Sequence, residues 1–378
     1  MNHRTWVEIS ERSLGSNIQV LRSLLKDETR FCAVVKANAY GHGLKEVAQI
    51  ASRQGVDSFA VDSVDDAIFL RSLFPTAQII VLGYCLFDRF DEVLKQNIEL
   101  TLCDLEGVRH AEEIGSKYAK SFRVHLKIET GTSRQGILLK HLPNVLTEMQ
   151  RMKHVQIEGV STHFANIEDT SNPEYATLQF TRFQDAVQTI LDSGFKPSSI
   201  HCACSAAILL YPQTHGTLVR GGISLYGIWS SDLVQHTLRS TNVSIDLQPA
   251  LSWKTRVGQI KELPSGTPIG YGLTHILNRQ SRIAVIPVGY WDGYDRLLSS
   301  KGEVIIRGTR CRVVGRICMN MMMVDVSSVP DIQKGDEVLL LGTSGRHTIS
   351  ADSIAALTQT IPYEVVTRIN PLLPRVVV

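Results

Sequence analysis

The run FCAVVK at residues 31–36 is the first of eight short segments that are rich in β-branched and aliphatic residues. Helical patterns separate these segments, and such alternation is typical of βαβ units that form a parallel sheet. Eight parallel strands with intervening helices predict an α/β fold with a closed (β/α)8 barrel of the TIM type. The later segments are SFAVDS (58–63), QIIVLGY (78–84), IELTLCD (98–104), FRVHLKIE (122–129), IEGVSTHF (157–164), IHCACS (200–205) and LVRGGIS (218–224).

A different pattern begins after about residue 240. Strand alternation and tight turns replace the helical patterns, and glycine marks each reversal in SWKTRVGQIKELPSGTPIGYG (252–272), GEVIIRGTRCRVVGRI (302–317) and KGDEVLLLG (334–342). We therefore predict a C-terminal all-β domain. The predicted limits are 11–240 for the barrel and 241–378, together with a strand within 1–10, for the β domain.

Composition limits the classes of function. The chain has 378 residues, of which 43% are hydrophobic, so it can bury a full enzyme core. The 39 basic and 37 acidic residues leave a net charge of +2 without a basic stripe, which argues against nucleic acid and membrane surfaces and favours a small-molecule partner. The start MNHRTWVEIS lacks the apolar run of a signal peptide, and no stretch approaches the ~18 apolar residues of a membrane span, so we expect a cytoplasmic protein.

Seven cysteines are present, and only Cys202 and Cys204 are close in sequence. Their C-x-C spacing has no second pair and no nearby histidine cluster, so we expect no metal site. We interpret the cysteines as reduced, mostly buried thiols.

Polar residues gather where the predicted strands end. In a barrel of this kind the active site lies at the C-terminal ends of the strands. The residues found there are Lys36, Lys127, His163, Ser205 and Arg220, the last followed by two glycines. This set predicts a cationic pocket for an anionic ligand.

Lys36 would end an otherwise apolar strand, where desolvation lowers the pKa of an amine and makes it a nucleophile towards an aldehyde. The alternative from the residues alone is a solvated lysine at the barrel mouth. The glycines of VRGGIS (219–224) would let backbone N–H groups approach a phosphate, or would simply form a turn.

Eight motifs together resemble the alanine racemases, which are fold-type III amino-acid racemases that depend on pyridoxal 5'-phosphate. The resemblance covers essentially the whole chain. The motifs are AVVKANAYGHG (33–43), ETGTSRQG (129–136), THFA (162–165), VRGGISLYG (219–227), GYG (270–272), VGYWDGYDR (288–296), GRICMN (315–320) and PYEVVTRINPLLPR (362–375).

The resemblance implies that Lys36 carries pyridoxal phosphate. It assigns the phosphate to hydroxyl and backbone N–H groups, which suit a dianion, of Tyr40, Ser205, Gly222, Ile223 and Tyr363. Arg220 matches the arginine that faces the pyridine nitrogen and keeps it unprotonated, with His201 as a candidate support and a structural ion pair as the alternative role. His163 would pack near the ring or be an ordinary core histidine.

Racemisation needs a proton carrier on each face of a planar carbanion. By resemblance these are Lys36 and Tyr271, and Tyr271 reaches the partner subunit's barrel in a homodimer, although sequence alone would also allow a simple turn aromatic. Arg134 would bind the substrate carboxylate. Lys127 matches a lysine that is often carbamylated, with a salt bridge to Glu129 as the alternative.

The same resemblance implies a small substrate pocket. Met319 of the partner chain would line the pocket for the substrate methyl group, while Tyr290 and Tyr363 would narrow its entrance.

Four positions depart from the family pattern. Cys204 replaces an asparagine, Asn320 an aspartate, Gly270 a serine and Ser133 a glycine. None of them is a proposed proton carrier, but Asn320 cannot ionise, which bears on substrate specificity.

The resemblance therefore predicts an alanine racemase that interconverts L- and D-alanine by a two-base mechanism and supplies D-alanine for peptidoglycan. Three alternatives stay open: a racemase for serine or a broader range of amino acids, a pyridoxal-phosphate-dependent decarboxylase with the same architecture, and a non-catalytic cofactor-binding protein. Arg220 argues against the decarboxylase, because that chemistry favours a protonated ring nitrogen.

Overall fold

A computed structural model describes residues 3–241 and 245–378. The chain forms two compact units. The barrel unit comprises residues 14–37 and 48–248, and the β unit comprises residues 1–13, 38–47 and 249–378. The predicted domain limits stay a prediction. They fall at residues 240 and 241, next to residues 242–244, which lie outside the described residues.

The strands in chain order are β1 (Thr5–Ile9), β2 (Arg30–Val34), β3 (Ser58–Val61), β4 (Gln78–Val81), β5 (Glu99–Leu102), β6 (Phe122–Glu129), β7 (Ile137–Leu138), β8 (Val155–Ser161), β9 (Ser199–His201), β10 (Leu218–Gly221), β11 (Leu251–Arg256), β12 (Gln259–Leu263), β13 (Pro268–Ile269), β14 (His275–Ile276), β15 (Ser281–Ile286), β16 (Glu303–Ile306), β17 (Thr309–Val314), β18 (Met322–Asp325), β19 (Glu337–Ser344), β20 (His347–Ile349) and β21 (Arg375–Val377).

The helices are α1 (Glu11–Ser23), α2 (Lys36–Tyr40), α3 (Leu44–Arg53), α4 (Val64–Leu73), α5 (Phe90–Lys95), α6 (Leu105–Tyr118), α7 (Leu142–Met149), α8 (Glu174–Asp192), α9 (Ser205–Leu210), α10 (Asp232–Ser240), α11 (Ala351–Thr358) and α12 (Pro362–Thr367). Single turns of 3-10 helix lie at Phe87–Arg89, Leu139–His141, Pro212–Thr214, Ile223–Tyr226, Tyr271–Leu273, Tyr290–Asp292 and Arg296–Leu298.

The barrel unit contains a nearly closed parallel barrel. Its strands follow the order β2-β3-β4-β5-β6-β8-β9, and β10 pairs with β2 at the other end. Two backbone hydrogen bonds connect the region of β9 to that of β10, from Thr217 N to Ile200 O and from Arg220 N to Ala203 O, both at 3.0 Å. Each of the eight predicted segments contains or overlaps one of these strands, and the predicted fold class is confirmed.

Burial explains why these segments are apolar runs rather than alternating patterns. Every residue of β3, β5 and β10 is buried, as expected for parallel strands that are covered on both sides. Helix α8 packs through one apolar face, on which Phe183 and Ile190 are buried. The apolar sequence pattern therefore sets both strand position and helix orientation.

The inside of the barrel also holds a column of polar side chains. His125 on β6 contacts His201 on β9, and Arg30 on β2 contacts Gln78 on β4. The strands of each pair are not neighbours in the sheet, so their side chains meet across the interior. We call this set the polar column; its members are Gln78, Glu99, His125, His201 and Arg220, with the exposed Arg30 at one end. Barrel interiors are dominated by branched apolar residues, so this column is a departure from the usual packing.

The β unit is built on a long sheet with the order β12-β15-β18-β17-β16-β19-β11-β1-β21, with β20 paired to β19. Its pairings are antiparallel except that β1 and β21 are parallel. The strand expected within residues 1–10 is β1, which pairs with β11. A small hydrophobic core of Ile269, Leu277, Ile283 and Val314 packs below the hairpin of β13 and β14.

Within residues 3–241 and 245–378, no helix has the length and apolar character needed to span a membrane. The same residues contain no group of three or more histidine, cysteine or acidic side chains that could hold a metal ion. All seven cysteines are free thiols, and burial raises the pKa of Cys32 and Cys202 to about 12.

Candidate active site

Lys36 begins an unusual turn after β2. The predicted strand runs to Lys36, but β2 ends at Val34 and Lys36 is the first residue of α2. The four residues that follow, Ala37, Asn38, Ala39 and Tyr40, have φ angles of 52°, 54°, 51° and 52°. They form a left-handed helical turn, which costs about 1–2 kcal/mol per residue for L-amino acids. Such strain persists only where other contacts hold it.

Several hydrogen bonds within the β unit hold this turn. The Oδ1 atom of Asn38 accepts from the backbone N–H of Leu44 at 2.9 Å, and His42 Nδ1 lies 2.8 Å from the carbonyl oxygen of Tyr40. The guanidinium group of Arg375 donates to the carbonyl oxygen of Gly41 at 2.9 and 3.2 Å. A residue 334 positions away thus fixes the backbone beside the candidate lysine.

The amine of Lys36 is not desolvated in the way that its position in an apolar run predicts. Its side chain is 41% exposed, and Nζ lies 3.9 Å from Oδ1 of Asp62. The expected burial of Lys36 is therefore wrong. The reason is that β2 ends two residues before Lys36, so the lysine is not part of the buried strand.

Arg220 lies on β10 and is buried. Its NH1 group donates to Nδ1 of His201 at 2.6 Å and to the carbonyl oxygen of the same residue at 2.8 Å. Its NH2 group donates to the carbonyl oxygens of Thr162 at 2.9 Å and Cys202 at 3.3 Å. The expected contact between Arg220 and His201 is present, and the guanidinium plane is fixed by both arms.

His163 lies next to Arg220. Its Nδ1 atom lies 3.4 Å from NH2 of Arg220. Burial holds the pKa of His163 well below its usual range, and nearby positive charges lower it further; these belong to Arg220, Lys127, Arg134 and Lys36. The imidazole is therefore neutral at physiological pH, and the charges of four predicted cations of the barrel unit act on it.

Lys127 lies within β6 rather than at its end. Burial, reinforced by the positive charges of Arg220 and Arg134, lowers the pKa of Lys127 to about 7. The carboxylate of Glu129 accepts instead from the backbone N–H groups of Gly131 at 2.6 Å and Arg134 at 3.2 Å. The alternative salt bridge between Lys127 and Glu129 does not appear among the ion pairs of the described residues.

A group of hydrogen-bond donors lies where the resemblance predicts a phosphate. Ser205 is the first residue of α9, and its hydroxyl oxygen accepts from the N–H groups of Gly222 and Ser224, both at 3.2 Å. Ile223 begins the 3-10 turn that follows Gly222. The Ser224 hydroxyl is buried and has no hydrogen-bond partner within the described ranges. These converging N–H and O–H groups fit an anion with several acceptor oxygens.

The β unit contributes two tyrosines of the predicted phosphate set. The ring centroids of Tyr40 and Tyr363 are 6.1 Å apart. Tyr363 lies on α12, and the same helix passes close to Gly41, where an added Cβ would lie 1.9 Å from the carbonyl oxygen of Val366. The left-handed turn and α12 thus bring the two hydroxyl-bearing rings together.

Tyr271 and Tyr290 lie on two loops of the β unit, and the loop that carries Met319 contacts both of them. The turn around Tyr271 packs on Arg316, because a Cβ added to Gly272 would lie 2.8 Å from the guanidinium group of Arg316. Three residues later, the carbonyl oxygen of Met319 accepts from Trp291, next to Tyr290. Tyr271 is 71% exposed and Met319 is 55% exposed in the single chain.

The sequence comparisons agree with this geometry. Residues 9–230 match the family described as "Alanine racemase, N-terminal domain", and residues 250–377 match "Alanine racemase, C-terminal domain". The chain belongs to the alanine racemase family. The alanine racemase of Leptospira interrogans serogroup Icterohaemorrhagiae is 36% identical over 379 residues, which cover 100% of this chain and 96% of the relative.

Solved structures give the same result. The alanine racemase of Clostridium difficile 630 has a TM-score of 0.93 and 33% identity, and covers 100% of this chain and 96% of its own. A histidine racemase from Leuconostoc mesenteroides has a TM-score of 0.90 and 26% identity, and covers 100% of this chain and 98% of its own. This racemase architecture therefore occurs with more than one named amino-acid substrate.

Two departures of this racemase from the family pattern have a local explanation. Gly270 has φ 72°, a conformation that glycine adopts without strain, and an added Cβ would meet Cε of Met323 at 2.7 Å. Ser133 has φ 54°, so it carries the strain that the usual glycine would avoid. Asn320 is exposed, and nothing in the structure explains its replacement of aspartate.

Sequence reasoning missed part of this racemase's site. Asp62 lies beside Lys36, and Glu99 and His125 extend the contacts of Arg220 and His201 into the barrel. A usable signal existed, because Glu99 and His125 are polar residues inside the otherwise apolar runs IELTLCD and FRVHLKIE. A polar residue buried in a strand needs a partner.

Proposed function

We propose that this enzyme interconverts L- and D-alanine with pyridoxal 5'-phosphate. The observation that carries the proposal is the fixed, buried Arg220 among cationic side chains of the barrel unit, next to the donor group of Ser205, Gly222 and Ser224. Relatives named alanine racemase that align over the whole chain support alanine as the substrate.

The donors present fit this cofactor. Lys36 supplies an accessible amine for the aldehyde, and the N–H and O–H groups of Ser205, Gly222, Ile223, Tyr40 and Tyr363 would hold the phosphate. When bound, pyridoxal phosphate supplies an aldehyde that condenses with amino groups and a conjugated ring that accepts electron density from the substrate Cα.

Arg220 would direct an N–H donor at the ring nitrogen and so keep that nitrogen an acceptor. A guanidinium group is always charged and cannot itself take up a proton. This argues against the decarboxylase alternative, which favours a protonated ring nitrogen. His163, a neutral imidazole in contact with Arg220, would pack beside the ring.

Two side chains would move the substrate proton. The Nζ atom of Lys36 would exchange a proton with Cα on one face, and Oη of Tyr271 would do so on the other face. The guanidinium of Arg134 would bind the substrate carboxylate, and the thioether of Met319 would line the pocket for the methyl group. Tyr290 and Tyr363 would narrow the entrance, which favours a small amino acid.

Lys127 would carry a carbamate. Its pKa of about 7 leaves a large neutral fraction of the amine at physiological pH. The neutral amine adds to carbon dioxide through a new N–C bond and releases one proton, which leaves a negative carbamate. Arg134 and Arg220, whose charges act on Lys127, would stabilise that anion.

The working form would be a homodimer in which Tyr271 and Met319 serve the partner subunit's site. Support comes from exposed large apolar side chains on the β unit, a pattern that marks interaction surfaces; they are Tyr271, Leu273, Ile276, Trp291 and Met319. We further propose a cytoplasmic location and a role in providing D-alanine for peptidoglycan, on the basis of the family alone.

The test is chiral analysis of the product in D2O with purified protein. We expect both enantiomers of alanine to be interconverted with deuterium at Cα, and a visible absorption band that is lost in Lys36→Ala. Tyr271→Phe should lose mainly the L-to-D direction, while Tyr118→Phe is the control, because Tyr118 lies on α6 and its hydroxyl contacts Asp91 outside the named motifs. Bound cofactor without alanine turnover would refute the substrate, and assays with serine, lysine and histidine would then identify another.

A further inference from the structure

A continuous chain of buried hydrogen bonds leads from Arg220 to a carboxylate inside the barrel. Arg220 NH1 lies 2.6 Å from His201 Nδ1, and His201 Nε2 lies 2.8 Å from His125 Nδ1. His125 Nε2 then lies 2.7 Å from Oε2 of Glu99. All four residues belong to the barrel unit, and all four are buried.

The two ends of this chain fix the direction of every proton in it. A guanidinium group only donates, so His201 Nδ1 must accept and its proton must be on Nε2. That N–H donates to His125 Nδ1, which must therefore also accept. The remaining proton of His125 is on Nε2 and donates to Glu99, since an ionised carboxylate only accepts.

No other arrangement satisfies all three contacts. A second proton on either histidine would place two donors face to face, either at the contact between the rings or at Arg220. Burial, followed by the charge of Arg220, holds the pKa of His201 well below its usual range, which agrees with a neutral ring. Two side chains keep Glu99 in place. The Gln78 amide donates to Oε2 of Glu99 at 2.8 Å, and Arg123 forms an ion pair with its Oε1 at 3.1 Å.

We propose that Glu99 and His125 are positioning residues that hold Arg220 as a hydrogen-bond donor to the cofactor ring, by providing through His125 the acceptor for the Nε2–H of His201. The proposal rests on the proposed function for the role of Arg220. Without an acceptor at position 99, the Nε2–H of His125 is buried and unpaired, which is unfavourable. The His125 ring then turns to another partner, its contact with His201 is lost, and the His201 ring no longer aligns Arg220.

The first test measures the ring nitrogens directly. In the cofactor-free protein with ¹⁵N-labelled histidine, His125 and His201 should both show an unprotonated Nδ1 and a protonated Nε2, with signals assigned through His125→Asn and His201→Asn. Glu99→Leu should shift the ring ¹⁵N signals of both histidines because the contact between the rings is lost, while the proton of His201 stays on Nε2 because Arg220 still faces Nδ1. Glu99→Gln keeps an oxygen acceptor and a similar shape, so it should change the pattern less.

The second test measures the consequence for the reaction. Glu99→Leu should lower kcat by about tenfold or more, as is typical of residues that orient a reactive group through one contact, with little change in KM, and should shift the visible band of the bound cofactor. Glu99→Gln should retain more activity. The matched control is Glu112→Gln. Glu112 also pairs with a histidine, since its Oε1 lies 3.1 Å from Nδ1 of His154, but it is not part of this chain of contacts.

The outcomes separate the two proposals. A wild-type His201 with its proton on Nδ1, or a folded Glu99→Leu with an unchanged ring pattern or an unchanged kcat, would overturn the positioning role. If Glu99→Leu does not fold, the same criteria apply to His125→Phe, through the remaining His201 signals and kcat. A wild type that does not racemise alanine would refute the proposed function, while the ring-nitrogen measurement would still decide whether Glu99 fixes the chain.

Discussion

The carbonyl oxygen of Val366 on α12 lies where a side chain on Gly41 would begin, since an added Cβ would be only 1.9 Å away. Gly41 also has φ 80°, in the left-handed region. Gly41→Ala should therefore lower the free energy of unfolding by about 2–4 kcal/mol, because backbone strain and a backbone clash add together. The midpoint of urea unfolding measures this effect.

Gly266 provides the matched control for that substitution. It has φ 85°, but an added Cβ would meet no atom within 4 Å. Gly266→Ala should thus cost only the backbone strain of about 1–2 kcal/mol. Equal losses in the two variants would show that α12 does not pack against the turn as described.

Arg220→Lys should lower both stability and cofactor affinity. An ammonium group cannot reach His201, Thr162 and Cys202 in the fork geometry of a guanidinium group. Each lost hydrogen bond to a charged group contributes about 1.5–3 kcal/mol. The measurements are urea unfolding of the cofactor-free protein and titration with pyridoxal phosphate followed by visible absorption.

The control for this change is Arg71→Lys. Arg71 is another buried arginine, and it donates to the carbonyl oxygens of Phe74, Pro75, Ala77, Gln96 and Asn97. It should lose comparable stability and retain cofactor binding. The interpretation fails if Arg71→Lys weakens the cofactor as much as Arg220→Lys does.

The depressed pKa of Lys127 predicts a stability that rises with pH. Between pH 7 and 10.5 the unfolded chain binds this proton and the folded chain does not, so the free energy of unfolding increases with pH by up to about 1.4 kcal/mol per unit. Lys127→Met should remove this slope in urea unfolding measured across that window without carbon dioxide. A slope that is unchanged in the variant would assign it to another group.

Carbon dioxide provides an independent measurement at the same residue. With ¹³C-bicarbonate near neutral pH, wild type should show one carbamate carbon signal that is absent in Lys127→Met. Lys254→Met is the control, because the ion pairs of Lys254 with Glu8 at 2.9 Å and Glu337 at 3.0 Å keep its amine protonated. Loss of the signal in Lys254→Met alone would contradict carbamylation of Lys127.

The eight barrel strands could be predicted because they are short and mostly apolar, as expected for parallel strands that are covered on both faces. The turn after β2 could not. Residues 37–40 contain no glycine, the residue type that would indicate a left-handed turn. The turn depends instead on hydrogen bonds from Arg375, which lies far along the chain. Long-range contacts of this kind leave no local pattern.

The site shows the same division. Motifs identified Lys36, Arg220 and Tyr271, because the family keeps these residue types at fixed positions. The exposure of Lys36 and the burial of Glu99 depend on where a strand stops and which side chain faces inward. The apolar runs do not show where β2 stops, and a polar residue such as Glu99 within a run indicates a buried partner without identifying it.

Cys204 departs from the asparagine of the family at a position where the structure gives asparagine a use. It is the N-cap residue of α9, and its side chain makes no capping hydrogen bond. An asparagine oxygen can accept from an N–H group of the first turn, which a thiol does poorly. Cys204→Asn should therefore raise the free energy of unfolding by about 0.5–1 kcal/mol, measured by urea unfolding. Cys204→Ala removes the thiol without adding a cap, so a gain of the same size in that variant would assign the effect to loss of sulfur.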